Sequence, residues 1–383
     1  MKTSTTSETA FAPSLCRIDL AALQRNFARL GEPASLMPVI KNDAYGHGLL
    51  PVARALAKAG ARCFAVGTPG EGAALRQAGL KQEIVPLLGG MALEDWRVAA
   101  ACFLLPLLAD SEDLKKALAC CRHDRVLRVG IKCETGMNRL GFCQQDIPGL
   151  MEYLRAHPCL EPVLVLSHLA CADMPEENAY SQSQIRVFTA ICESLRVVWP
   201  FMKRSLANSA GLLGLPASRF DVSRPGIALY GGNPFAGGLW EEAGAGLEWG
   251  MSVSAPVIGV RRVRAGQSVS YGRVFTAPAD MTLAVIAAGY ATGVARALSD
   301  RMDVLIHGRR VPQVGRVCMG MLMADVTSLP QTRPSDTAWL LGGPAEPGIA
   351  PVTAQETADR LETIPYEILC RMGAMNARVY TPY

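Results

Sequence analysis

MPVIKNDAYGHG, residues 37–48, is the stretch that decides the fold. It opens with Met37, Pro38, Val39 and Ile40, an apolar run too short for a helix and bounded by turn residues. A strand buried on both faces reads this way. The run stops at Lys41. Asn42, Asp43, Ala44, Tyr45, Gly46, His47 and Gly48 form a connection, and LLPVARALAKAG follows with Leu50, Val52, Ala53, Leu56 and Ala57 at helical spacing. One lysine therefore stands at the C-terminal end of a buried strand, ahead of a loop and a helix. In an α/β barrel that end builds active sites. An amine in a partly dry site loses its proton more readily and attacks carbonyls. The bland reading is a lysine that extends its ammonium to water.

Outward from this stretch the pattern repeats. Residues 17–30 place Leu20, Leu23, Phe27 and Leu30 on one helical face, with Asp19 as N-cap. Helices are predicted over 51–60, 70–79 and 184–198, and in LEDWRVAAAC, SEDLKKALACC and DIPGLMEYLRAH. The last but one opens on its serine without a full capping box. Strands are predicted over 63–67 and 84–88, and in VLRVGIKC and PVLVLSHLA. Strand and helix alternate about eight times with short connections, which favours an N-terminal (β/α)8 TIM-type barrel over an open sheet. From Gly238 the texture changes. AGGLWEEAGAGLEWG reads as a linker, and short β-branched runs separated by turn signals predict a C-terminal, mainly antiparallel β domain with one late helix over 353–361. The fold class is α/β, with a barrel over 1–240, a β domain over 241–383, and a flexible segment at 1–16.

Composition narrows the function. Half of the 383 residues are hydrophobic and 19% are charged, as in a globular enzyme. The net charge of +4 comes without a basic block, so no nucleic-acid partner is expected. No apolar run is long enough to span a membrane, and the first residues lack an apolar core of the export type, so a cytoplasmic protein is expected. The 12 cysteines are scattered without ligand spacing, which predicts reduced thiols and no metal.

KNDAYGHG resembles the cofactor-lysine motif of the alanine racemases, usually written KANAYGHG. In that family the lysine forms a Schiff base with pyridoxal 5'-phosphate, so the resemblance assigns that role to Lys41. Further matches follow in order through both predicted domains. TGMNRLGF implies that Arg139 binds the phenolic oxygen of the cofactor and lies near the substrate carboxylate. The family lysine at the position of Lys132 is often carbamylated. Cys133 and Glu134 are mild departures. The segment 166–170 places His168 in a hydrogen-bond chain. Asn208-Ser209-Ala210 and SRPGIALYG imply phosphate ligands at Ser209, Gly226 and Ile227, hydroxyl and close backbone N–H groups that suit a dianion. Tyr45 and Tyr366 resemble the remaining phosphate ligands. Arg224 resembles the arginine that faces the pyridine nitrogen. It cannot surrender its proton, which makes the ring a weaker electron sink and favours racemisation over transamination.

In the second half, VSYGR implies that Tyr271 is the second acid/base. A phenol titrates near ~10 and needs help, which a Tyr271–His168–Arg224 chain would supply. Tyr290 and Arg296 resemble a segment lining the substrate entrance. VGRVCM implies that the N–H of Met319 binds the substrate carboxylate. The residue after it is normally Asp in the family and is Gly320 here, which implies weaker alanine binding and more tolerance of serine. The resemblance thus implies a homodimeric racemase of L- and D-alanine, with Lys41 and Tyr271 as its two bases and Tyr271 and Met319 supplied across the interface. Its product D-alanine would serve the cell wall. A racemase of broader range, such as serine, is the alternative. A decarboxylase of basic amino acids is disfavoured because it has an acid where Arg224 stands. A non-catalytic cofactor carrier is disfavoured because it lacks the β domain.

Overall fold

The computed structural model describes residues 14–88, 92–121 and 126–381. It contains two compact units. The larger comprises Ala22–Ala44 and Leu49–Glu248. Its strands close a ring. The extended segment 37–40 exchanges hydrogen bonds with Cys63–Val66 (Ile40 N–H to Ala65 O, 2.8 Å; Ala65 N–H to Pro38 O, 2.9 Å). Cys63–Val66 pairs in parallel with Glu83–Pro86, and Leu105 N–H reaches Ile84 O at 2.8 Å. Leu107–Leu108, Leu127–Lys132, Leu160–Leu166 and Lys203–Ser205 continue in parallel. Val222 then donates to Arg204 O at 3.1 Å, and Met37 donates to Ser223 O at 2.8 Å, which returns to the first strand. This is the (β/α)8 barrel that the alternation of elements predicts.

The residues explain the ring. Most strands are short, largely apolar and buried runs, Lys203–Ser205 being a polar exception, and the long helix Asn178–Arg196 buries one apolar face. A core of Trp96, Val129, Ile131, Val165, Phe188 and Leu195 lies between strands and helices. The predicted helices form with shifted bounds, Leu49–Lys58, Pro69–Gln77 and Ile147–Ala156 among them. The helix at Ser111–Ala119 is capped one residue before its serine, by Asp110, whose side chain accepts from Asp113 N–H. The helix expected over 184–198 is longer, Asn178–Arg196. The stretch read as linker is packed up to Glu248: Trp240 stacks edge-on against Phe235, and Glu248 pairs with Arg25 at 2.8 Å.

The second unit holds Trp249 onward, Tyr45–Gly48 and the N-terminal stretch through Ala21. Its strands run in the order Met281–Ile286, Leu322–Asp325, Arg309–Val314, Asp303–Ile306, Thr337–Leu341, Met251–Val263, Leu15–Asp19, Ala377–Thr381. Met251–Val263 also pairs with Met281–Ile286, so six strands close on one another. Every pairing is antiparallel except the outermost, Leu15–Asp19 with Ala377–Thr381. The late helix is Ala354–Arg360, capped by Thr353, and a further helix follows at Pro365–Met375. Leu15 and Cys16 correct the reading of 1–16 as flexible, because both are paired strand residues; residues 1–13 lie outside the described residues. Among the described residues no helix is long and apolar enough to cross a membrane.

Candidate active site

Lys41 follows the barrel segment 37–40 and is half-buried. The chain then does something no propensity suggests. Asn42, Asp43, Ala44 and Tyr45 take φ of +53°, +53°, +53° and +54°, one turn of left-handed helix built without glycine. Each such residue costs on the order of 1–2 kcal/mol, so surrounding contacts must hold the turn. Asp43 supplies one, its Oδ1 accepting from Leu49 N–H at 2.7 Å. The next strand end comes close: a Cβ added to Gly67 would lie 3.4 Å from Lys41 Cβ.

Four other cationic or basic side chains join Lys41. Arg224 is 3% exposed. Its Nη1 donates to Ser205 Oγ at 2.5 Å, and its Nη2 donates to Ser167 O at 2.5 Å and Leu206 O at 3.2 Å and lies 3.4 Å from His168 Nδ1. A guanidinium only donates, so Nδ1 accepts and the imidazole proton sits on Nε2. Burial lowers the Arg224 guanidinium to about 10, which leaves it charged at neutral pH. Desolvation, then Arg224, Arg139, Lys41 and Lys132, push His168 down to about 3, so it is neutral. Desolvation, then Arg139, Arg224 and Lys41, lower Lys132 to about 8 against the opposing pull of Glu134. Lys41, Lys132, Arg139, His168 and Arg224 therefore form one electropositive cluster at the C-terminal ends of the barrel strands.

Ser209 and the SRPGIALYG segment meet. Gly226 N–H and Ala228 N–H both donate to Ser209 Oγ, at 2.9 and 3.2 Å, with Ile227 between them. The hydroxyl accepts two bonds and keeps its own proton to give. In the other unit Tyr45 and Tyr366 stand with ring centroids 5.7 Å apart. Desolvation, and then Tyr366 and Cys370, push the Tyr45 phenol above its ordinary range.

Tyr271 and Met319 are also in that unit, and their segments are neighbours. Ser270 Oγ donates to Arg316 O at 2.7 Å and lies 3.4 Å from Cys318 Sγ. Tyr271 is 72% exposed and Met319 62%. A cavity of about 580 Å³ beside them is lined by Arg261, Val269, Tyr271, Cys318, Met321 and Met323. Tyr290 N–H and Ala291 N–H donate to Cys318 O and Met319 O at 3.0 and 2.9 Å, which ties the predicted entrance segment to the Met319 loop.

Sequence reasoning missed several supporting residues. Glu134 folds the loop that carries Arg139. Its Oε1 accepts from Gly136 N–H and its Oε2 from Arg139 N–H at 3.1 Å. Burial pushes this carboxyl up, but the N–H groups of Asn138, Gly136, Arg139 and Met137 outweigh burial and hold it below its ordinary range. Behind His168, buried Gln184 accepts from Ala170 N–H at 2.9 Å and donates to His168 O at 3.1 Å, and Thr135 Oγ1 lies 2.7 Å from Ser167 Oγ. Only Gln184 carried a signal, a polar residue on an apolar helix face between Ser181 and Phe188; Glu134 and Thr135 lie in the loop after Leu127–Lys132 and carried none.

Comparison with known proteins bears on the whole chain. Residues 18–234 match the family model "Alanine racemase, N-terminal domain" and residues 250–380 the model "Alanine racemase, C-terminal domain". The sequence is 47% identical over 366 residues to the alanine racemase of Nitratidesulfovibrio vulgaris (strain DSM 19637 / Miyazaki F), covering 95% of this chain and 97% of the relative. It is 40% identical over 370 residues to that of Lawsonia intracellularis (strain PHE/MN1-00), covering 95% and 97%. Among solved structures, the biosynthetic alanine racemase of Pseudomonas aeruginosa superposes with a TM-score of 0.85 at 33% identity, over 97% of this chain and 99% of that one. The alanine racemase of Bartonella henselae with covalently bound pyridoxal phosphate gives 0.83 at 29% identity, over 97% and 100%.

Proposed function

The chain belongs to the alanine racemase family and is an isomerase that interconverts L- and D-alanine, and from that premise we propose how its residues divide the work. The relatives favour neither a serine racemase nor a decarboxylase. The cofactor is pyridoxal 5'-phosphate, bound by the barrel half. The donor set fits such a group. Five cationic or basic side chains crowd together; burial and the neighbouring charges push Lys132 and His168 down, and an anion would relieve them. Ser209 has a hydroxyl proton to offer a phosphate, with Gly226 and Ile227 beside it as further ligands. When bound, the cofactor would supply an electrophilic ring system that acidifies the substrate Cα proton.

The remaining work falls to the chain. Lys41 holds the cofactor and takes the Cα proton of D-alanine on Nζ. Tyr271 takes that of L-alanine on Oη. A base on each face lets the proton leave on one side and return on the other. Arg139 and the N–H of Met319 orient the substrate carboxylate, the former by its planar fork. Arg224 stays charged; burial and then Arg224 keep His168 neutral, with Nδ1 occupied and Nε2–H free to steer the phenol of Tyr271.

Tyr271 and Met319 come from a second subunit in this reading. Ile258, Val260, Tyr271, Val274, Met319 and Met321 are all exposed apolar or aromatic residues of one unit, the signature of a surface made to be covered. The working enzyme is a cytoplasmic homodimer that makes D-alanine for cell-wall peptidoglycan.

The single observation that carries this reading is the cluster of Lys41, Lys132, Arg139, His168 and Arg224 at one end of the barrel. Circular dichroism of L-alanine incubated with the purified protein tests it. Loss of optical activity that requires added pyridoxal phosphate is expected. Racemisation without cofactor, or none with it, would sink the proposal.

A further inference from the structure

The left-handed turn after Lys41 has to be held from outside, and the group that reaches it belongs to no motif. The helix Pro69–Gln77 begins with a capping box. Thr68 Oγ1 accepts from Glu71 N–H at 3.2 Å, and Glu71 Oε2 accepts back from Thr68 N–H at 3.3 Å. That exchange uses one carboxylate oxygen. Oε2 also takes the N–H of Gly67 at 2.6 Å, at the end of the second barrel strand. The other oxygen, Oε1, crosses to the neighbouring strand end and accepts from Asp43 N–H at 3.1 Å. One carboxylate thus ties the residue after the second strand to the middle of the turn that follows the first.

Other N-terminal caps in this chain show what the cap alone needs. At Leu93–Ala101 the third-position acid is Asp95, which accepts from Ala92 N–H at 3.0 Å. At Gln144–Asp146 it is Asp146, which accepts from Cys143 N–H at 2.8 Å. Aspartate suffices for a cap in both places. The extra methylene of Glu71 gives a carboxylate that spans Gly67 and Asp43.

We infer that Glu71 is a positioning residue for the reaction, clamping the left-handed turn at Asp43 so that Lys41 leaves the strand in one fixed direction. The inference rests on the reading of Lys41 as the reacting amine. It separates two jobs of one side chain, and two substitutions separate them in turn. Glu71→Asp retains the charge and the ability to cap, and loses the reach to Asp43. Thr68→Ala removes the capping hydroxyl and leaves the reach intact.

The test uses purified protein loaded with pyridoxal phosphate. It records kcat and KM for L-alanine, the rate at which hydroxylamine strips borohydride-trappable cofactor from Lys41, and Tm. Glu71→Asp is expected to keep a Tm near the parent and an unchanged KM. Its kcat should fall, and the stripping rate rise, each on the order of tenfold, the scale of one charge-assisted hydrogen bond. Thr68→Ala should lower Tm and leave kcat and stripping at parental values. Glu71→Gln, which keeps the length but gives up one acceptor oxygen, should show the same split as Glu71→Asp and carries the test if the aspartate variant does not fold. Parental kcat and stripping in both Glu71 variants would overturn the inference, as would a Thr68→Ala variant that loses as much kcat as they do. If the parent itself traps no cofactor on Lys41, the reading of the site fails first, and the parent measurement alone reveals that.

Discussion

Two regions carry the residues that the sequence singled out, and they are built in opposite ways. In the barrel, Arg224 is buried, bonded to Ser205, Ser167 and Leu206, and set against a neutral His168. In the second unit, Tyr271 and Met319 stand on backbone that is well tied, yet their side chains are mostly exposed among other exposed apolar residues. On the proposed reading, the difference matches each region to its partner. A cluster of like charges calls for a small anionic ligand, whereas an exposed aromatic beside apolar neighbours calls for a second protein surface.

The sharpest way to break this contrast is to remove one residue from each region. Lys41→Ala should abolish racemisation, a loss beyond about 10⁴-fold, and borohydride should then label no other lysine. Label on a different lysine would refute the assignment. Tyr271→Phe should lose on the order of 10²–10⁴-fold in both directions and retain the cofactor, since its proposed task is proton transfer and not cofactor binding. A larger loss of cofactor than of rate would contradict the division between regions. Mixing the two inactive chains should restore part of the activity if the tyrosine arrives from a partner subunit. No recovery in a mixture shown to exchange subunits would place both bases in one chain.

The barrel cluster should also write itself into stability against pH. Lys132 titrates at about 8 in the fold and near 10.5 when free. Between those values the unfolded chain holds more protons, so stability rises with pH there, by at most about 1.4 kcal/mol per pH unit. His168 lies at about 3 against 6.5, so stability falls as pH drops from 6.5 toward 3. Urea unfolding of cofactor-free protein against pH should show both limbs. Lys132→Met should flatten the upper one, and added pyridoxal phosphate should shrink it by supplying an anion. An upper limb unchanged in Lys132→Met would mean that Lys132 is not the strained group.

How much of this was legible follows from the range of each interaction. Barrel strands are short apolar runs followed by a turn and a helix, so their signals are local, and the residues at their C-terminal ends could be placed. Leu15–Asp19 was missed because its partners, Met251–Val263 and Ala377–Thr381, lie at the far end of the chain. Asn42–Tyr45 was read as a loop because four residues without glycine carry no left-handed signal. Glu71 and Glu134 were invisible as site residues because each acts through backbone N–H groups, which any sequence provides. The run at 236–250 looked like a linker because glycine hides packing that Trp240 and Glu248 supply.

The smallest effect concerns Gly320. From sequence, the loss of the family's Asp implied a looser Met319 loop and weaker alanine binding. The structure reduces that expectation. The loop is held without any side chain at 320: Cys318 O and Met319 O accept from Tyr290 and Ala291, Cys318 N–H donates to Met321 O at 2.9 Å, and Val317 N–H donates to Ser299 Oγ at 3.0 Å. A Cβ at Gly320 meets nothing within 4 Å, and its backbone is outside the left-handed region, so no glycine is required there. Gly320→Asp should therefore fold normally, with stability within about 0.5 kcal/mol of the parent. It adds a charge but little order, so KM for alanine should move by less than about threefold, under about 0.7 kcal/mol. The serine-to-alanine ratio of kcat/KM should stay as it is. A tenfold fall in KM for alanine would show instead that this loop, tied as it is, still lacks a fixed direction for the Met319 N–H, and that the exposed region is less pre-organised than its hydrogen bonds imply.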